Sequence, residues 1–172
     1  MAEPTAPIEL LREIARQGEV RLNSLLALAT AADLRATTLC GIFGAAAVGT
    51  SAATLASLTV ADPNSSLILA GVVASLGLFI AAVVAAISGA PRNFYVGGGN
   101  PDRLRDWAWT GEGWRDIGEM LDATAMRYAD IIEKNREILE AGSWRIIVSL
   151  GIGFASPCLA IIAYFGSILL CH

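Results

Sequence analysis

Three ionisable side chains stand at the borders of long apolar runs in this chain. Asp33 and Arg35 come just before the first run, and Arg145 just before the third. A charge at the edge of such a run needs a counter-charge or water. Asp33 is therefore expected to pair with Arg145 or Arg35. The alternative is that both arginines reach toward lipid phosphates while Asp33 faces solvent. Around a central axis, rings of these charges would bias ion passage. Thr37, Ser51 and Thr54 fall near one stripe of the first run, with Thr50 and Ser57 nearby. Hydroxyls so placed can line a water-filled path. In ordinary packed helices the same groups return to the backbone.

Catalytic chemistry finds no support. The single histidine, His172, is terminal, so no nucleophile has an evident base. Gly97-Gly98-Gly99 follows no strand and precedes no Lys-Ser/Thr, so it does not read as a phosphate-binding loop. Asp116, Glu119 and Asp122 read as a solvated helix face. Cys40, Cys158 and Cys171 are isolated, without metal-site spacing. Cys40 and Cys158 read as buried small residues, whereas Cys171 could cross-link subunits in an oxidising compartment. No enzyme activity, cofactor or metal is expected. The net charge of -4 argues against a nucleic-acid partner.

The elements that must position these residues follow from composition. Hydrophobic residues make up 55% of the 172, and only 16% are charged. Mean hydropathy is +0.57. Small soluble domains cannot bury so much apolar sequence. The stretches Thr37 to Ala61, Ser65 to Pro91 and Ile146 to Cys171 carry no charged residue. Each exceeds the roughly 20 residues needed to cross a bilayer. All 12 Lys and Arg lie before Thr37 or between Arg92 and Arg145. By the positive-inside rule the N-terminus is expected in the cytoplasm and the C-terminus outside, in an inner membrane. The polar, acidic start Met1-Ala-Glu-Pro-Thr-Ala-Pro7 does not read as a cleaved signal.

The expected fold is an all-α membrane protein with three transmembrane helices, two of them extending into a cytoplasmic helical stalk within an oligomeric bundle. Residues 1–7 are a disordered tail. Residues 8–36 form a stalk helix continuous with the first span, 37–61. The turn Asp62-Pro63-Asn64-Ser65 leads to the second span, 65–88, capped by Ser65 or Ser66. A Gly/Trp-rich link, 89–113, follows, with Trp107, Trp109 and Trp114 expected to pack along the stalk. A second stalk helix, 114–143, runs into the third span, 144–171, which Pro157 should kink.

Both stalk helices carry apolar seams with alternating three- and four-residue spacing. The first reads Leu11, Ala15, Gly18, Leu22, Leu25, Ala29, Ala32, Ala36, Leu39. The second reads Trp114, Ile117, Leu121, Thr124, Tyr128, Ile131, Asn135, Ile138, Gly142. Seams of matched length that both enter the membrane at their C-terminal ends should pair in parallel. Thr124 and Asn135 occupy seam positions that are normally apolar. There they set register or oligomer number, or else face water on a slightly rotated helix.

Small residues recur along each span: Thr37, Gly41, Gly44, Ala47, Ser51 and Thr54 in the first; Ala70, Ala74, Gly77, Ala81, Ala85 and Ser88 in the second; Ser149, Gly153, Ser156, Ala160, Ala163 and Ser167 in the third. Such stripes let helices approach closely. A thin three-helix bundle leaves some of them spare, which points to a homo-oligomer.

The segment Ala31-Ala32-Asp33-Leu34-Arg35-Ala36-Thr37-Thr38-Leu39-Cys40-Gly41-Ile42 resembles the membrane entry of bacterial cyclic-nucleotide defence effectors of the Pycsar and SLATT kinds. Those families also follow a pair of spans with a long cytoplasmic helix. The resemblance implies membrane disruption or ion leakage triggered by infection, with a cytoplasmic protein or nucleotide as the signal. The third span and the lack of an appended nucleotide-binding domain depart from that pattern. A non-conducting anchor for a cytoplasmic partner is the alternative. Epitope tags at the two ends of the chain, probed in intact cells with an impermeant reagent, should label the C-terminal tag alone.

Overall fold

The computed structural model describes residues 8–61, 63–90, 92–95 and 117–170. The expectations for residues 1–7, Asp62, Pro91, the glycine run, Trp107, Trp109, Trp114, Asp116, Cys171 and His172 lie outside these residues. Three α-helices account for nearly all of the described chain, and no strand occurs among the described residues. They are α1 (Ile8–Leu58, 51 residues), α2 (Ser65–Ser88, 24 residues) and α3 (Ile117–Leu170, 54 residues). All three are long and apolar enough to cross a membrane.

The ends follow from local chemistry. Beyond Leu58, the Thr59 amide turns back to the Ala56 carbonyl at 3.1 Å, and Pro63 prevents the helix from resuming at once. The cap of α2 is Asn64, not the serines that follow it. Its carboxamide oxygen accepts from the amides of Ser66 at 3.1 Å and Leu67 at 3.2 Å. An Asn side chain spans this gap as well as a hydroxyl does, and Asn64 stands at the non-helical position where a cap must be. At the other end Gly89 closes α2, its amide donating to Ala85 at 3.0 Å. α3 continues without a break through Pro157.

The chain divides into two compact units. The first contains 8–30 of α1, 92–95, and 117–140 of α3. Leu11, Leu22, Ala29 and Ile131 are buried in it, all on the expected seams. α1 and α3 run in parallel here. Ile14, Gly18 and Arg21 border the same cleft as Ala125, Tyr128 and Ile132, rising together in number. The helices come close at Gly18, where an added Cβ would lie 2.9 Å from the Tyr128 ring. The exposed faces carry ion pairs within single helices: Glu13–Arg16, Asp130–Lys134 and Arg136–Glu140. The Arg16 guanidinium, helped by the Gln17 amide, holds the Glu13 carboxyl down at about 2 from its usual 4.5. Its support for the helix is present above pH 4.5 and fades as pH falls toward 2. Exposure to solvent keeps that support small.

The second unit contains 31–58 of α1, α2, and 141–170 of α3. α2 runs antiparallel to both neighbours: Gly71 meets Thr54 and Gly89 meets Ala36 on α1, while Gly77 meets Ser156 on α3. Gly153 of α3 lies against the Phe43 ring. Phe43, Ala81 and Ala82 form the core, with Leu39, Leu78, Leu150 and Ile152 packed around it. The Ser149 hydroxyl, fully buried, donates to the Ala81 carbonyl at 2.8 Å. Ser88 donates to the Gly142 carbonyl at 3.0 Å.

Most of the second and third small stripes are therefore used inside one chain. Ala70, Ala81, Ala85 and Ser88 are buried, as are Ser149, Gly153 and Ser156. The first stripe is only partly covered, with Ala47 buried and Thr37 and Gly41 exposed.

Glycines at close approaches and glycines in open space should respond oppositely to substitution. Gly153→Ala drives a methyl into the Phe43 ring and should cost about 1–3 kcal/mol. Gly49→Ala meets nothing within 4 Å and should be neutral or slightly stabilising. Unfolding in detergent, followed by loss of helical circular dichroism, compares them.

Candidate functional site

Asp33 is half-buried on α1, while Arg35 on α1 and Arg145 on α3 are exposed. None of them joins the ion pairs found among the described residues. The expected Asp33 pair is thus not made within one chain. Residues two apart on a helix point about 200° away from each other, so Asp33 and Arg35 cannot meet. Near Arg145, α3 turns Gly142 and Ser149 onto α2 and leaves the arginine outside. The Asp33 face of α1 lies beside the end of α2. A Cβ on Gly89 would stand 3.2 Å from the Ala36 methyl, 3.6 Å from the Thr37 hydroxyl and 3.7 Å from the Asp33 carbonyl.

The same side of α1 borders an open apolar groove of about 700 Å³ between α1 and α2. Gly44, Ala47 and Ser51 form its small-residue wall, and Leu76, Phe79 and Val83 the bulky one. Cys40, half-buried, also lines it. Cys158 is exposed, contrary to the expectation of a buried small residue, because it lies off the stripe that Ser149, Gly153 and Ser156 turn inward.

The three hydroxyls of the first span differ in their surroundings. Thr37 is exposed and donates to the Asp33 carbonyl at 2.9 Å. Thr54 is half-buried, donates to the Thr50 carbonyl at 2.8 Å and packs on Gly71. Ser51 lines the groove. Thr50 and Ser57 likewise donate to the carbonyls of Ala46 and Ala53.

In the first unit the two polar seam residues have different partners. Thr124 donates to the Met120 carbonyl of its own helix at 2.7 Å. Asn135 is fully buried, and its carboxamide holds the Tyr95 backbone from both sides. The Tyr95 amide donates to Asn135 Oδ1 at 3.0 Å, and Asn135 Nδ2 donates to the Tyr95 carbonyl at 2.9 Å. Arg92 adds a bond to the Ile138 carbonyl at 2.9 Å, one turn along α3. Asn135 therefore anchors a non-helical segment onto the helix. Its seam position was legible, but its partner, 40 residues earlier, was not. The groove was not legible in the sequence, because it depends on which faces of α1 and α2 meet.

The described residues are all-α, with three helices long and apolar enough to cross a bilayer, as a membrane protein requires. No family model, curated protein or solved structure matches the chain.

Removing one partner of a buried hydrogen bond exposes the full desolvation cost of the other, about 1–3 kcal/mol. Asn135→Leu should cost about 1 kcal/mol, toward the lower end of that range, since both Tyr95 groups lose their partner but Tyr95 is exposed enough for water to replace it in part. Asn135→Asp should also destabilise, because a carboxylate cannot donate to the Tyr95 carbonyl. Urea unfolding in detergent micelles would read both losses.

Proposed function

We propose that this chain is a homo-oligomeric integral membrane protein that perturbs or conducts across the bilayer under control of its cytoplasmic helical stalk. The observation that carries the reading is the set of Asp33, Arg35 and Arg145, three charges bordering apolar spans with no ion-pair partner among the described residues. Charges so placed require water or a counter-charge from elsewhere. A water-containing assembly supplies the first and a neighbouring copy the second. Thr37, Ser51 and Thr54 are the lining candidates, Thr37 exposed and Ser51 on the wall of the α1–α2 groove. The stalk comprises the parallel α1–α3 pair. A cytoplasmic protein or nucleotide signal would act by favouring one packing of that pair over another. The resemblance of residues 31–42 to defence effectors supports a role in antiviral membrane disruption.

The hydroxyls of Thr37 and Thr54, bonded to their own backbone, favour a second reading. In it the spans are a dry anchor, and the stalk holds a cytoplasmic partner.

Purified protein in liposomes separates the two. The pore reading expects ion leakage, with the cation-to-anion preference shifted several-fold by Arg145→Glu, since a ring of reversed charge alters the local potential. A tight bilayer under every condition, from protein that remains folded, leaves only the anchor.

A further inference from the structure

We infer that a second copy of this chain fills the α1–α2 groove, seating the opposite face of its own α1 there, with its Arg35 against Asp33 of the first. The inference rests on the oligomeric reading above and specifies how the copies meet.

The two surfaces are complementary and lie at one level. Asp33 precedes Cys40 and Gly44 by about two and three helical turns, so the carboxylate stands on the groove face of α1. Arg35 points to the other side of the same helix, where Ile42, Ala46, Gly49 and Ala53 share its face. All five are exposed, and a Cβ on Gly49 would meet nothing. One side thus offers a small-walled apolar groove topped by an acid. The other offers a protruding Ile42 on a thin helix, topped by a base. The rise between Asp33 and Arg35 is only about 3 Å, so parallel copies at equal depth bring unlike charges together. Among the described residues neither charge has an ion-pair partner, so their mutual attraction at the membrane edge, where the dielectric is low, favours association. Close approach of small residues supplies the remaining contact. Because the two surfaces differ, the contact is head-to-tail, and each copy uses both.

Cysteine cross-linking in native membranes tests this. Cys40 lies on the groove face, and Ile42→Cys puts a thiol on the opposite face of the same helix, too far round to bridge within one chain. Oxidation of Ile42→Cys should give a ladder of covalent oligomers that Cys40→Ala abolishes. Dimers alone would mean a self-complementary contact and overturn the inference. Monomers alone would mean that lipid, not protein, occupies the groove. In the same background Asp33→Arg or Arg35→Asp should each reduce the ladder at least five-fold. Co-expressing the two variants should restore it, because alternating chains recover one opposite-charge pair at every contact. An unchanged ladder in the single variants removes the ion pair from the proposal. Native mass of the wild-type chain in mild detergent separates the two levels of failure. An oligomer without a ladder sinks only this contact, whereas a monomer sinks the oligomeric reading too.

Discussion

Helices surrounded by lipid gain little from burying apolar side chains against each other, since the tails are equally apolar. They must come close enough for backbones and short polar groups to interact. Each pairing in the second unit turns on such a place. Gly71 admits the Thr54 side chain, Gly77 admits Ser156, and Gly153 admits the Phe43 ring. At that separation Ser149 reaches the Ala81 carbonyl and Ser88 reaches Gly142. These hydroxyls bond to main-chain oxygens of helices other than their own. Larger residues at the three glycines would push the helices beyond hydrogen-bonding reach.

The first unit, rich in charged residues, uses a different device. Leu11, Leu22 and Ile131 supply apolar burial of the kind that works in water. The polar surface is organised within single helices, by pairs such as Asp130–Lys134. One buried amide, Asn135, then ties the non-helical residues after α2 to α3. Two Gly contacts mark the contrast. Gly18 accommodates an aromatic ring at a cleft that also holds Arg21 and Glu133, while Gly77 accommodates a serine in an apolar setting.

Much of this order was legible from spacing alone. Every position of the seam from Leu11 to Leu39 is buried or half-buried, as its three- and four-residue period requires. The bounds of α2 followed from the turn before it and Gly89 after it. The candidate site was less legible. Asp33 and Arg35 were visible as charges at a border, yet whether they meet depends on helical phase and on which side of α1 the end of α2 covers. The partner of Asn135 was invisible because no periodic pattern links a helix interior to an irregular segment. Asn64 displaced the serines as cap because the chain first turns helical after it, a boundary that composition locates only to within a residue or two.

The Asn135 clamp has a spectroscopic consequence. The Tyr95 amide proton belongs to no helix, yet it is held by a fully buried carboxamide. Its exchange with deuterated solvent is therefore slowed by one side chain instead of by secondary structure. Neighbouring amides in 92–95 include that of Phe94, which makes only a tight local turn to Arg92. A contrast between adjacent protons would thus register each detachment of this segment from α3, giving a built-in clock for how often the two part.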